Sequence, residues 1–579
     1  MAEKVEQKDV VTSEAIVETF TKEDVKEVAE THEEHVEPTE EDWKTLREVG
    51  DNVPLSAFLV ILIEFCERFT YYGITGPFQN YIQQPAPPSY PAEQPGAIGK
   101  GQQTATALTT FLQFWAYITP VLAAIVSDQY LGKYRTILLS SFIYVIGLLI
   151  LVCTSIPSAI EAGAAFPGLI VSIILIGLGT GGIKANVSPL VAEQYQSKAP
   201  FVRTLKNGTR VIVTPQATYQ QMFNMFYWGI NVGGLSAIAT TTMEKNIGFW
   251  SAYLLPLCMF IVGIVVVISG RKRYVEAPPR GSIILEASKV IKLWFKTRNF
   301  DDCKPSALTK TNPDLAAVAT WDDVFVDELR RALKACVVFC WFPIYWLCYQ
   351  QITNNLISQA ATMLTGNVPN DIIQNIDPFA LIIIIPIMDR IVYPLLRRFG
   401  FPMRPIIRIS IGFLVAAASM AYTAGIQSLI YKTPPHFDHP GDEVNWISAA
   451  FQIPSYVLIA LSEIFASITG LEYAYKKAPQ SMKAIVMSLF LLSNCFASIL
   501  AFALVSVTED PKLTWMYTGI GVSAFICSIL IWVFHGKGDK VDVQEDAIAR
   551  DESGMEEYYK KTGINIDKEK QDNVNEKEA

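Results

Sequence analysis

The feature that most constrains this chain is a series of twelve predominantly apolar stretches, beginning near residues 54, 106, 136, 167, 220, 249, 333, 378, 404, 446, 482 and 513. A helix needs about 20 such residues to cross the hydrocarbon core of a bilayer. Helices recur there because each backbone N–H and C=O must find its partner inside the segment. The spacing divides the stretches into two sets of six, joined by a charged segment that contains Arg271-Lys272-Arg273. The expected fold is an all-α membrane protein of twelve transmembrane helices in two six-helix bundles around a central substrate path. The boundaries are a tail at 1–50, a bundle at 51–270, a linker at 271–330, a second bundle at 331–535 and a second tail at 536–579.

Charge is concentrated where lipid is not. Residues 1–50 carry 16 acids against 6 basic residues, and residues 536–579 carry 13 against 8. The segment between them has a net charge of +6, within a chain total of −9. The overall acidity therefore describes two solvated tails and says nothing about an acidic or basic ligand. Charged segments poor in aromatics are expected to be disordered, with regulatory partners as one role and solubility as the other. The nine cysteines, including Cys66, Cys153, Cys258, Cys340, Cys495 and Cys527, lie mostly in apolar runs without paired spacing, so no disulfide framework or metal site is expected. No nucleic-acid partner and no cofactor are implied.

Orientation follows from basic residues. Lys133, Arg135, Lys198, Arg203, Lys206, Arg210, Arg397, Arg398, Lys476 and Lys477 fall in even-numbered loops, whereas odd-numbered loops hold few, such as Lys100 and Lys245. The positive-inside bias places both termini and the linker in the cytosol. The first 50 residues lack the charged start and apolar centre of a cleavable signal peptide, so the first span is expected to act as the targeting signal. Neither glycosylation-like triplet, Asn207-Gly208-Thr209 or Asn186-Val187-Ser188, is expected to carry sugar, one being cytosolic and the other inside a span.

An ionisable side chain at the bilayer centre costs at least ~2.5 to 3.5 kcal/mol, so one found there usually faces a cavity and acts. The first span contains Glu64-Phe65-Cys66-Glu67-Arg68-Phe69-Thr70-Tyr71-Tyr72-Gly73, with Glu64, Glu67 and Arg68 on one helical face. Two acids share one base, so one carboxylate needs a second cation or a proton; the alternative is a static ion cluster. The fourth span carries Lys184 after Gly177-Leu178-Gly179-Thr180-Gly181-Gly182, and Lys184 is the expected second cation. Its glycines formally match a dinucleotide fingerprint, but an apolar span lacks the strand–turn–helix context, and close helix packing explains them better. The fifth span offers Asn231 in Phe226-Tyr227-Trp228-Gly229-Ile230-Asn231, either a site residue or helix glue. The tenth offers a lone acid, Glu463, in Leu461-Ser462-Glu463-Ile464-Phe465-Ala466-Ser467. Arg68 and Lys184 in one half face Glu463 in the other, a layout that fits a zwitterion. Tyr71, Tyr72, Tyr117, Trp346 and Phe490 could wall such a cavity or simply pack.

These motifs resemble the proton-coupled oligopeptide transporters of the major facilitator superfamily over residues 54–535. The resemblance is carried by the Glu64–Gly73 segment, by Ala123-Ala124-Ile125-Val126-Ser127-Asp128-Gln129-Tyr130-Leu131-Gly132 with Thr136-Ile137, by the glycine-rich Lys184 helix and by Phe226–Asn231. The run Arg68 to Tyr81 looks like the fungal branch. The resemblance implies plasma-membrane symport of di- and tripeptides with protons by alternating access. Glu64, Glu67, Arg68 and Lys184 would couple proton to substrate, and Arg68 and Lys184 would hold the peptide carboxylate. Asn231 and Glu463 would receive the amine, with Ser467 nearby, and Asp128 would be a conformational latch.

Departures from the pattern are informative. Many relatives carry an arginine where this chain has Thr75 and an acid where it has Gln350, so both members of a gate-side ion pair are absent together and a different outer gate is implied. Asp377 replaces an asparagine, and either reinforces amine binding or caps the eighth helix. Thr110 replaces a histidine of animal members. None of His32, His35, His436, His439 and His535 falls in a span, so proton binding is expected on carboxylates. A relative for nitrate or a conjugated metabolite would be expected to lose Glu463 or the first-span acids. A membrane-embedded nutrient sensor signalling through the tails is a further reading, and no nucleophile–base pair, metal cluster or phosphate loop suggests an enzyme.

Overall fold

The structure, a computed structural model, describes residues 37–536 except 198, 206–207, 277–280, 367, 400–403, 441–443 and 478–481. Most of the first acidic tail, all but the first residue of the second, and Asn207 of the glycosylation-like triplet lie outside the described residues.

Each apolar stretch folds as a helix: α1 (Leu55–Thr75), α2 (Gly101–Val126), α3 (Lys133–Thr154), α4 (Ala165–Glu193), α5 (Pro215–Gly234, continued by Ser236–Asn246), α6 (Phe249–Ser269), α7 (Asp323–Ala361, with short 3-10 turns), α8 (Ile376–Ile387), α9 (Pro405–Ile430), α10 (Ile453–Glu463), α11 (Lys483–Leu504) and α12 (Leu513–His535). Ten of these stretches are long and apolar enough to cross a membrane by length and composition alone. The other two, α1 and α5, fall short for visible reasons. Helix α1 carries Glu64, Glu67 and Arg68, and α5 carries several amides and a break at Leu235.

Two hydrophobic cores result. One draws only on residues between Val53 and Tyr274, with Tyr81 packed on Phe249 and Tyr253 at ring-centroid distances of 5.0 and 5.4 Å. The other draws on residues from Ile284 to Ile531 and centres on Phe342, Tyr345, Phe413 and Phe490. The described part of the linker contains a helix, Ile283–Thr297, that buries Ala287 and Val290 in the second core with Val326 and Leu329.

The all-α expectation misses one small element. The segment before α1 forms β1 (Glu48–Val49), which pairs parallel with β3 (Arg210–Val213), itself antiparallel to β2 (Phe201–Thr204). Ion pairs staple the entry segment to this sheet, Arg203 to Asp51 at 2.6 Å and Arg210 to Asp42 at 3.2 Å. The sheet marks the end of the molecule where the described chain begins and ends, called here the sheet end.

At the opposite end the halves are tied by uncharged side chains. Gln79 donates to Ser358 (2.8 Å), Asn80 and Asn370 exchange hydrogen bonds (2.8 and 2.9 Å), Thr106 donates to Asn355 (3.0 Å) and Gln113 to Thr353 (2.8 Å). Thr75 and Gln350 do not join them. The Thr75 hydroxyl bonds the Tyr71 carbonyl, and Gln350 bonds Asn494 and Ser498 inside its own half. Among the described residues no ion pair joins the halves at the end opposite the sheet, which is closed largely by amides and hydroxyls.

The glycines of α4 are there for packing. A Cβ at Gly177 would lie 2.2 Å from Trp115 of α2, and one at Gly181 would lie 2.1 Å from Thr119. A Cβ at Gly179 would meet the Tyr144 Cβ at 2.5 Å and the Ser140 carbonyl oxygen at 2.9 Å, and backbone cannot rotate away. Gly179→Ala is expected to destabilise the purified protein by about 1–3 kcal/mol, seen as a lowered thermal unfolding midpoint in detergent. Gly425→Ala, where nothing lies within 4 Å, is the neutral comparison.

Candidate functional site

Helix α1 positions three ionisable side chains where lipid would exclude them. Packing against α5, α6 and α4 leaves Glu64 4%, Glu67 0% and Arg68 6% exposed. Arg68 grips both acids, with its Nε 2.9 Å from Glu64 Oε1 and its Nη2 2.7 Å from Glu67 Oε2. Thr180 of α4 donates to the other Glu67 oxygen at 2.7 Å. Gly233 of α5 lets that helix approach: a Cβ there would be 2.9 Å from both the Arg68 Cβ and the Phe69 backbone nitrogen.

The expected pairing of Lys184 with a first-span acid is not what the structure shows. The single guanidinium spans both carboxylates, because its planar fork presents donors in more than one direction. Lys184 instead places its Nζ 3.9 Å from the centroid of the Tyr117 ring. Among the described residues it makes no ion pair, so its ammonium is held by a π face while staying within electrostatic reach of Glu64 and Glu67. Tyr71 lies edge-on to Tyr72 (5.7 Å) and beneath Arg68 (5.7 Å). Tyr72 and Tyr117 are within reach of Arg68 on one side and of Glu463 in the other half, so the two tyrosines stand between the opposed charges.

In the second half, Asp377 in the first turn of α8 and Glu463 at the end of α10 lie close enough to interact. The Tyr349 hydroxyl of α7 donates to Asp377 Oδ2 at 3.4 Å. Asp377 Oδ1 and Glu463 Oε2 are buried and have no hydrogen-bond partner among the described residues. Asp377 stands in the first turn of α8, where a carboxylate suits the helix dipole, and lies close to Glu463 as well, so both of its readings stay open. Directly after Glu463 the helix widens into a π turn, Ile464–Ile468, that contains Ser467; such bulges re-aim side chains at functional sites. Tyr349, which joins the two acids, had no mark in the sequence beyond being one aromatic among many. Thr180 was hidden among glycines.

The remaining expected residues are placed less centrally. Asn231 is half-buried, and its amide bonds back to the Tyr227 carbonyl of its own helix at 2.8 Å, leaving its second N–H and its Oδ1 to offer a ligand. Trp346 and Phe490 are not walls facing open space. They are 8% and 4% exposed, pack on each other at 5.8 Å, and Trp346 donates to Ser493 at 2.9 Å; they brace the second half from behind. Asp128 sits in the π turn Ser127–Leu131 after α2, where its carbonyl accepts from the Gly281 N–H of the linker at 3.2 Å. Beside it Lys133 pairs with Glu193.

A family model described as the POT family matches residues 134–521. The chain belongs to the POT family. A probable peptide transporter of Schizosaccharomyces pombe is 52% identical over 86% of this chain and 80% of its own length. A peptide transporter of Saccharomyces cerevisiae is 44% identical over 90% and 85%. A crystal structure of an auto-inhibited POT family peptide transporter aligns with a TM-score of 0.65 at 22% identity, covering 83% of this chain and 96% of that one. This likeness shows that the fold is the two-bundle fold of that family.

The site's electrostatics give a direct test. Arg68→Ala would leave two buried carboxylates without a counter-ion, which costs about 3–5 kcal/mol when both remain charged. Protons can relieve that repulsion in acid. The thermal unfolding midpoint of Arg68→Ala is therefore expected to fall well below wild type at neutral and alkaline pH, with the deficit shrinking as pH is lowered.

Proposed function

We propose that this POT family chain is a plasma-membrane symporter that brings di- and tripeptides into the cell with protons by alternating access, its termini and linker in the cytosol. The observation that carries the reading is the division of charge across the space between the halves. Arg68 and Lys184 lie in one half, and Asp377 and Glu463, which have no cation beside them among the described residues, lie in the other. A peptide zwitterion offers a carboxylate and an ammonium a few bonds apart, which satisfies both sides at once. The named relatives being peptide transporters supports it.

Coupling follows from competition for Arg68. When a peptide carboxylate engages Arg68 and Lys184, Glu64 or Glu67 loses part of its counter-charge. A buried carboxylate without a partner takes up a proton, so binding of substrate and proton reinforce one another. Release of the proton restores the α1 ion pairs and expels the carboxylate. The described conformer, closed at the end opposite the sheet, is then the inward-facing state, with Lys133, Arg203 and Arg210 near the sheet end as the positive-inside signature. The driving force suffices: one net charge crossing 100 mV yields ~2.3 kcal/mol, and each pH unit adds about 1.4 kcal/mol.

Uptake of a labelled dipeptide into proteoliposomes with an inward proton gradient, inside negative, is expected to exceed equilibrium and to be abolished by an unlabelled tripeptide. Gradient-independent uptake, or none, would contradict the reading. Glu463→Ala is expected to weaken dipeptide affinity at least tenfold, the effect of about 1.4 kcal/mol, measured by competition.

A further inference from the structure

The closed end contains a second pair of buried acids, separate from the α1 cluster. Glu244 lies in the last turn of the α5 continuation, in the first half. Asp371 lies in the 3-10 turn Asn370–Asn375 that leads into α8, in the second. Both are 0% exposed, and their carboxyl groups face each other within hydrogen-bonding reach across the junction.

Their surroundings supply too few donors for two carboxylates. Asn80 donates to Glu244 Oε1 at 3.0 Å. Glu244 Oε2 and both Asp371 side-chain oxygens receive no well-formed hydrogen bond among the described residues, with Asn80 and the Asp371 backbone N–H as the donors near Asp371. The Asn370 amide is spent on Asn80 and on the Ile357 carbonyl (3.1 Å). The charged and titratable groups that face the pair are few. Lys245, next on the same helix, donates to the Val368 carbonyl at 3.4 Å and is within electrostatic reach of Asp371 and of the exposed Glu93. Tyr81 and Tyr253 lie alongside, Tyr253 in reach of both acids, Tyr90 faces Glu244, and Tyr456 of α10 faces Asp371. Lys245 balances one negative charge, and the second has no cation. One O–H···O bond between the carboxyls would satisfy two of the three donor-starved oxygens and bring Glu244, Asp371 and Lys245 to neutrality.

We propose that Glu244 and Asp371 form a second proton-binding site, in which one shared proton bonds the two halves together at the end opposite the sheet and whose loss releases them. With the proton present, the pair is a hydrogen bond across the junction, continuous with the Asn80–Asn370 exchange. Without it, two buried like charges push α5 and the start of α8 apart. The site replaces the missing ion pair of Thr75 and Gln350 with a contact whose strength depends on pH. The proton balance is simple: one proton is taken up from the aqueous side to which this end opens, and one is released there when the end reopens.

The test needs no peptide, so its outcome is separable from that of the transport reading. Nitroxides are placed at exposed Ser89, in the loop after α1, and exposed Lys432, in the loop after α9. The full chain is held in lipid nanodiscs, with the exposed Cys153, Cys258 and Cys340 changed to serine. Dipolar distances are expected to show one short separation near about pH 5 and a growing longer population toward about pH 8, the ratio rising by at most about tenfold per pH unit for release of one proton. Glu244→Gln and Asp371→Asn, which keep the shape without the charge, are each expected to hold the short separation across this range. A wild-type separation that does not change with pH would overturn the proposal. So would a folded Glu244→Gln or Asp371→Asn chain that opens with pH as the parent does.

Discussion

One guanidinium bridging two carboxylates inside an apolar helix is the interaction on which the rest of the structure depends. Arg68 cannot leave Glu64 and Glu67 without stranding charge in a low-dielectric interior, where an unpaired ion is far more costly than in water. That constraint dictates the packing around α1. Gly233 admits α5 against the Arg68 backbone, Thr180 reaches in from α4 to saturate Glu67, and Gly177 and Gly181 let α4 sit close to α2 so that the whole face is sealed. It also dictates what is left over: Lys184, resting on Tyr117, is the cation without an acid, and Asp377 and Glu463 are the acids without a cation. In the proposed reading, opposite charges held apart in the two bundles would receive a molecule that carries both.

The two cores give those bundles their independence. Neither hydrophobic cluster draws on the other half, and the ties described between the halves are mostly neutral side-chain hydrogen bonds at one end. Such bonds exchange readily with water, so breaking them costs little net free energy. A junction made of amides can therefore open and close on small differences in binding energy, as alternating access requires. The proposed carboxyl pair at Glu244 and Asp371 adds to this junction a component whose contribution changes sign with protonation.

Much of the fold could be read from the chain because lipid is a demanding solvent. Runs of apolar residues located all twelve long stretches, including α1 and α5, whose own polarity weakened the signal, but not the linker helix Ile283–Thr297. The charges that interrupt α1 stand out in the sequence because lipid makes them costly, and the structure joins them in one buried ion-paired cluster. The sheet was not legible, since β1 is two residues long and pairs with strands some 160 positions later. Lys184 stays within electrostatic reach of the α1 acids but makes no direct ion pair with them, which was not legible because helical spacing shows which residues share a face, not how far a guanidinium fork can reach. The amide junction left no trace, since Asn80, Ser358 and Asn370 carry no charge to stand out. Glu244, next to Lys245 at the end of a span, reads as an ordinary interfacial residue. Trp346 and Phe490 had the composition of a cavity wall but proved to be packed in a core.

The central claim is that proton movement is tied to substrate movement through the α1 carboxylates. It is tested most directly by following lumenal pH with an entrapped dye in proteoliposomes when dipeptide is added outside, comparing wild type with Glu67→Gln. The account predicts peptide-dependent acidification of the lumen in wild type and none in Glu67→Gln. Equal acidification in both, or peptide entry in wild type without any, would contradict it.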